Sequence, residues 1–182
     1  MSHVDCADTK FGALMQDQIR NEFTAAQQYV AIAVHFDDED LPQLAAYFYR
    51  QAVEERNHAM MLVRYLLDRG VKVEIPGTDG VRNEFGTVRD ALALALDQER
   101  TVTEQITALA GAARDERDYL GEQFMQWFLK EQVEEVATIS SLVRIAERAG
   151  ANLFHLEDFV ARELVGGEGE DPTAPEAAGG GV

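Results

Sequence analysis

Between Thr9 and Gly150 apolar residues recur every three or four positions in four long runs, and that repeat constrains the fold more than anything else in the chain. The first run carries Phe11, Met15, Ile19, Ala26, Tyr29, Ala33 and Phe36, and ends in the acidic stretch "DDED". The second begins at Pro42, carries Leu44, Phe48, Ala52, Ala59, Leu62 and Leu66, and stops at Gly70. Thr87, with Asp90 three residues on, opens a third run through Leu92, Leu96, Val102, Ile106 and Leu109. The turn "RDERD" leads to a fourth with Phe124, Phe128, Ile139, Leu142 and Ile145, closed by Gly150. Before residue 165 proline occurs only as Pro42 and Pro76, so each run can be one unbroken helix, and the chain is expected to be all-α.

The connections set the topology. "DDED" reads as a solvated loop whose Asp40 caps the next helix, with Gln43 at the capping-box position. Residues 71–86, "VKVEIPGTDGVRNEFG", can reach about 50 Å, more than the roughly 42 Å of a 28-residue helix. The third helix can therefore start at the far end, which gives a four-helix bundle with two short turns around one long crossover. A shorter fifth helix, "NLFHLEDFVARE", follows, with Leu153, Leu156, Phe159 and Val160 apolar. The expected organisation is an N-terminal extension over 1–8, the bundle with its fifth helix over 9–164, and a disordered acidic, glycine-rich tail over 165–182.

Sixteen Lys and Arg against 33 Asp and Glu give a net charge of −17, which repels nucleic acid and anionic membrane and attracts cations. Cys6 is the only cysteine, so an intrachain disulfide and a CxxC motif are both excluded, as expected in a reducing cytoplasm. "MSHVDCADTK" has no charged-then-apolar signal pattern, and no later apolar run is long enough to span a bilayer.

The acids matter more by position than by number. Glu22 falls between Ile19 and Ala26, Glu55 between Ala52 and Ala59, Glu99 between Leu96 and Val102, and Glu135 between Phe128 and Ile139. Each long helix thus brings one acid to its apolar stripe. The halves also echo one another: Glu22 to Glu55 is 33 residues with His58 three further on, and Glu99 to Gln132 is 33 with Glu135 three further on. Residues three apart share a helix face, so the interior would collect Glu22, Glu55, His58, Glu99, Gln132 and Glu135. Two divalent cations would neutralise four ionised glutamates, and a set of mostly oxygen donors with one imidazole suits iron or manganese.

On the motifs "NEFTAAQQY", "EERNHA", "DQERTV" and "FLKEQVEEV" the chain resembles the non-haem bacterial ferritins over roughly residues 8–163. The resemblance implies a ferritin-like bundle and iron storage, with Fe(II) oxidised to Fe(III) by dioxygen or peroxide. It implies two iron ions per subunit: Glu22, Glu55 and His58 hold one, Glu55 is the bridge, and Glu99 with the Gln132/Glu135 segment holds or flanks the other. It also implies an accessory iron site at Glu54, Glu131 and Glu134, and a role for Tyr29 in hydrogen-bonding the ligands or giving an electron. A 24-subunit homo-oligomeric shell follows from the same resemblance, with the fifth helix at a four-fold axis and Asp118 and Glu122 as candidate pore residues. Haem-containing relatives carry a haem-ligating Met after the second-helix glutamate and a second Glu-x-x-His on the fourth helix. Arg56 and Gln132-x-x-Glu135 stand there instead, so no haem is expected. Trp127, Met60 and Met61 are expected to pack, and His3, His35 and His155 to lie at surfaces or interfaces. The competing reading is a non-storing di-iron or di-manganese oxidoreductase of the rubrerythrin or manganese-catalase kind.

Overall fold

The computed structural model describes residues 9–164 and 171–181. The extension 1–8, with His3 and Cys6, and tail residues 165–170 and 182 lie outside the described residues. The regular elements among the described residues are α1 (Lys10–Asp38), α2 (Pro42–Asp68), α3 (Val88–Asp115), α4 (Tyr119–Ala149) and α5 (Phe154–Glu163). The helices follow the apolar stripes closely, with shifts of one position in α1, where Ala25 is buried in place of Ala26, and in α4, where Met125 and Ala146 are buried in place of Phe124 and Ile145.

Helix ends show how the chain is stapled. Thr9 caps α1 by accepting from Gly12 N, and Thr87 caps α3 by accepting from Asp90 N. Asp40 does not cap α2, contrary to expectation: it is a turn residue with φ of 56°, and the N-cap position falls to Leu41, which has no capping side chain. Glu157 of α5 takes over, its two carboxylate oxygens accepting from Gln43 N and Leu44 N, both at 2.9 Å. Glu116, in the α3–α4 turn, does the same for α1, accepting from Lys10 N at 2.8 Å and Phe11 N at 3.1 Å. Both are anions at the positive end of a helix dipole, supplied from more than a hundred residues away.

The crossover is held against α1 by side-chain amides and a hydroxyl. Gln16 exchanges two hydrogen bonds with the Glu74 backbone, Thr24 Oγ1 accepts from Asp79 N, and Gln28 exchanges two bonds of 2.8 Å with the Arg82 backbone. Because the crossover follows α1 from Gln16 to Gln28, α3 begins at the opposite end of the bundle and runs in the same direction as α2. At the other end Gly121, in the first turn of α4, leaves room for a ring: a Cβ there would lie 2.6 Å from Phe11 Cε1.

The core has two apolar regions. One joins Tyr29, Phe36, Phe48, Leu92 and Leu142 to Leu156 and Val160 of α5. The other joins Phe11, Met15, Leu62, Ile106, Met125 and Phe128. The buried acids lie between them. Within one chain Leu156 and Val160 of α5 are fully buried, Leu153 and Phe159 are partly exposed, and Phe154 is 84% exposed.

The tail also differs from expectation over its described part. Residues 171–181 lie on α2 and α4: Ala174, Ala177 and Ala178 pack on the second apolar region, and Ala178 N donates to the Met60 carbonyl at 3.0 Å. Pro172 and Pro175 lower the entropy lost on ordering, and small alanines allow close approach, so even a glycine- and acid-rich segment can be held.

The Glu157 contact gives a test of how α5 is attached. Glu157→Ala should lower stability by about 1 kcal/mol, the usual cost of a lost helix cap, and should speed amide hydrogen exchange in α5 and the first turn of α2 together. Exchange that rises in neither segment would contradict the assigned role.

Candidate metal centre

Glu22 (1% exposed), Glu55 (1%), His58 (2%) and Glu99 (0%) meet in the middle of the bundle. One ligand atom from each of Glu22, Glu55 and His58 lies within 4.8 Å of the others. Glu99 is outside that trio but joins it electrostatically, being felt by Glu55 and feeling Glu22. Three acid-bearing stripes, of α1, α2 and α3, converge here because each acid replaces one apolar residue at mid-helix. Isolated, such groups cost several kcal/mol each to remove from water.

The hydrogen bonds around the centre are few and directional. Gln18, one turn before Glu22, donates Nε2 to Glu22 Oε1 at 2.8 Å. His58 Nδ1 lies 3.3 Å from Glu55 Oε2. The Tyr29 hydroxyl donates to Glu99 Oε1, and Gln132 also hydrogen-bonds the Glu99 carboxylate while its Oε1 accepts from the Thr103 hydroxyl at 2.9 Å. After these bonds, Glu22 Oε2, Glu55 Oε1 and Glu99 Oε2 are buried with no partner. An orphaned carboxylate oxygen on each of three helices is a set of donors aimed at something absent from the polypeptide.

The electrostatics agree. Burial, reinforced by Glu99 and Glu22, holds the Glu55 carboxyl well above the ordinary carboxylate range. Burial pushes Glu99 up to about 7, with the Tyr29 and Gln132 hydrogen bonds pulling the other way. Burial and the surrounding acids Glu99, Glu55 and Glu135 raise the Tyr29 phenol well above its usual value, so it remains a proton donor.

A second acidic group lies beside the first. Glu54, Glu131 and Glu135 offer oxygens within 4.8 Å of one another. This membership differs from the expected one. Glu135 belongs to the neighbouring group as well as facing the interior, whereas Glu134 is exposed and outside the trio. Both 134 and 135 lie within one turn of 131, and the rotation of α4 against α2 brings 135 rather than 134 to Glu54 and Glu131. Burial, with Glu54 and Glu134 nearby, raises Glu131 to about 7. Gln51 donates to Glu54 at 2.6 Å and keeps its own Oε1 buried and unpartnered.

The remaining expected residues divide by their contacts. Gln132, 3% exposed, is engaged by Glu99 and Thr103, so it flanks Glu99. Asp118 caps α4 by accepting from Gly121 N and pairs with Arg69 at 3.2 Å, while Glu122 pairs with Arg114 at 2.6 Å. Trp127 and Phe128 stand edge-on to the His58 ring, at 5.5 and 5.7 Å. His35 packs between Phe36 and Phe85, and His155 is exposed. Gln18, Gln51 and Thr103 were not anticipated. Their signal was present, since each sits three or four residues from a core acid on its own helix: Gln18 and Glu22, Gln51 and Glu54 or Glu55, Thr103 and Glu99.

The Ferritin-like domain family matches residues 12–149. The chain is 74% identical over 180 residues to Ferritin BfrB of Mycolicibacterium smegmatis, covering 99% of each. It is 33% identical over 152 residues to the bacterial non-heme ferritin of Staphylococcus aureus, covering 81% of this chain and 92% of that one. Among solved structures, the open pore ferritin of the hyperthermophilic archaeon Archaeoglobus fulgidus superposes with a TM-score of 0.83 at 26% identity, over 87% of this chain and 99% of that chain. With the family match over most of the bundle and a near full-length relative at 74% identity, the chain belongs to the ferritin family.

Proposed function

We propose that this chain, as a ferritin an iron-storage protein, oxidises ferrous iron at Glu22, Glu55, His58 and Glu99 and passes the ferric product to a store enclosed by a shell of twenty-four copies. The observation that carries the reading is the set of three buried, unpartnered carboxylate oxygens on Glu22, Glu55 and Glu99 beside a buried imidazole. Two ferrous ions are the substrates. Glu22 and His58 take one, Glu99 takes the other, and Glu55 lies between them. Each ion gives one electron, and with two protons the pair reduces dioxygen to hydrogen peroxide, or hydrogen peroxide to two waters. Anionic oxygen donors favour the ferric product because the harder, more charged ion gains most from them. Tyr29 and Gln132 keep Glu99 oriented, Gln18 does so for Glu22, and the Glu54, Glu131 and Glu135 oxygens offer the next halt for a moving cation.

The shell is supported by large apolar side chains left open on the single chain. Phe154 is 84% exposed, Val133 72%, Tyr119 and Leu120 69%, and apolar side chains of this size are covered when copies associate. Arg56 in place of a haem-ligating Met supports a protein without haem. Among the described residues no helix is long and apolar enough to cross a membrane, and a place in the cytoplasm is part of the reading. The non-storing oxidoreductase reading is not favoured, because the near full-length relative is a ferritin.

Two tests follow from the centre. Glu55→Ala should slow ferrous oxidation by at least about tenfold, since even side chains that only orient a metal ligand cost that much; Glu134→Ala, outside both groups, should change it far less. Stopped-flow absorbance under air reads both, alongside light scattering that should give a mass of hundreds of kilodaltons for each variant. Equal rates for wild type and Glu55→Ala would refute the centre.

The second concerns protons. Glu99 binds a proton up to about 7 when folded, against an ordinary value of 4.5, and Glu55 is shifted in the same direction. The folded apoprotein therefore holds more protons than the unfolded chain between these values, and the penalty of ionising the buried acids, absent below 4.5, grows until pH passes 7. Ferrous iron must displace those protons. Anaerobic ferrous addition should release more acid at pH 6 than at pH 8 and bind more tightly at pH 8. Equal release at both values would count against buried, protonated ligands.

A further inference from the structure

We propose that Asp171, in the C-terminal segment, is a positioning residue for iron binding: its carboxylate fixes the Trp127 indole, and the indole fixes the ring of His58. The inference rests on the reading of His58 as an iron ligand. It concerns a residue more than a hundred positions from that histidine, in a segment outside the matched family domain.

Trp127 is only partly buried, and an indole at the margin of a helix pair is ordinarily free to change rotamer with its N–H in water. Here Nε1 donates to Asp171 Oδ2 at 3.1 Å, and Lys130 Nζ lies 3.4 Å from the same oxygen. The other oxygen, Oδ1, accepts from Thr173 N at 2.8 Å and Thr173 Oγ1 at 2.6 Å. Four donors leave the carboxylate one orientation. The segment itself is tied down by the Ala178 bond to Met60 and by three alanines on the apolar region that includes Met60, Phe124 and Trp127.

On its other side the indole is a wall. Its ring stands at 76° to the His58 ring, with centroids 5.5 Å apart, and Phe128 stands at 71° with centroids 5.7 Å apart. Trp127 and Phe128 are themselves perpendicular at 5.0 Å, so the two rings form a corner into which the imidazole fits. Rotation of that ring would carry Nδ1 away from its place 3.3 Å from Glu55 Oε2. A fixed indole resists it together with Phe128, and of these two walls the indole is the one held by a side chain of the tail. The metal ligand is thus oriented by packing, and the packing is set by one carboxylate of the tail.

The chain contains a single tryptophan, so its emission reports this contact alone. Full-length wild type, Asp171→Ala, Asp171→Asn and His58→Ala should be compared as metal-free shells and titrated anaerobically with cobalt(II), whose visible bands report nitrogen ligation. Asp171→Ala should red-shift the emission and weaken the histidine-dependent cobalt site by about tenfold, the lower end of what an orienting partner of a metal-bound histidine costs. Asp171→Asn, whose amide oxygen can still accept from the indole, should restore both. Native emission or unchanged cobalt affinity in Asp171→Ala would overturn the proposal while leaving the metal centre standing. Wild type and His58→Ala titrating alike would instead remove His58 from the centre, and the proposal with it.

Discussion

Carboxylates buried without enough donors are the constraint on which the bundle depends. Each of Glu22, Glu55 and Glu99 retains one oxygen that no polypeptide group satisfies, at positions where a leucine would pack at no such cost. A dry interior resists charge, and burial accordingly raises Glu55 well above the ordinary carboxylate range and Glu99 to about 7 in the metal-free protein. Divalent cations would reverse the balance, since they would satisfy the orphaned oxygens and neutralise the charge at once. The centre of the bundle is thus costly to bury in the metal-free protein, and the two apolar regions on either side of it carry the fold.

Keeping four helices in register around such a centre requires their ends and connections to be fixed. The cross-chain caps from Glu116 and Glu157 do this at the N-termini of α1 and α2. The amides of Gln16 and Gln28 do it along the crossover, where an irregular backbone would otherwise lack partners. Each contact ties an element of one half of the bundle to a segment far away in the chain. A shift of α1 by one turn would move Glu22 by about 5.4 Å and take it out of reach of Glu55.

Helices, crossover and core acids were legible because each is a local or periodic property. A stripe interrupted by Glu22 or Glu99 is visible within one helix, and the 33-residue echo places the interruptions at matching heights. What was not legible depends on rotation or on distance. Glu134 and Glu135 differ by one position, and only the orientation of α4 against α2 decides which of them meets Glu54 and Glu131. Asp40 has the composition of a cap, yet Glu157, more than a hundred residues away, occupies that place. The tail misled for a related reason: its composition suits disorder, and its ordering over 171–181 depends on a tryptophan and a lysine of α4 that composition does not reveal.

The central claim is that these buried side chains exist to hold iron, and anomalous X-ray scattering at the iron edge tests it most directly. Crystals of the protein loaded anaerobically with ferrous salt should show two strong peaks per chain, one among Glu22, Glu55 and His58 and one against Glu99. Peaks confined to exposed acids, with the interior empty, would contradict the account.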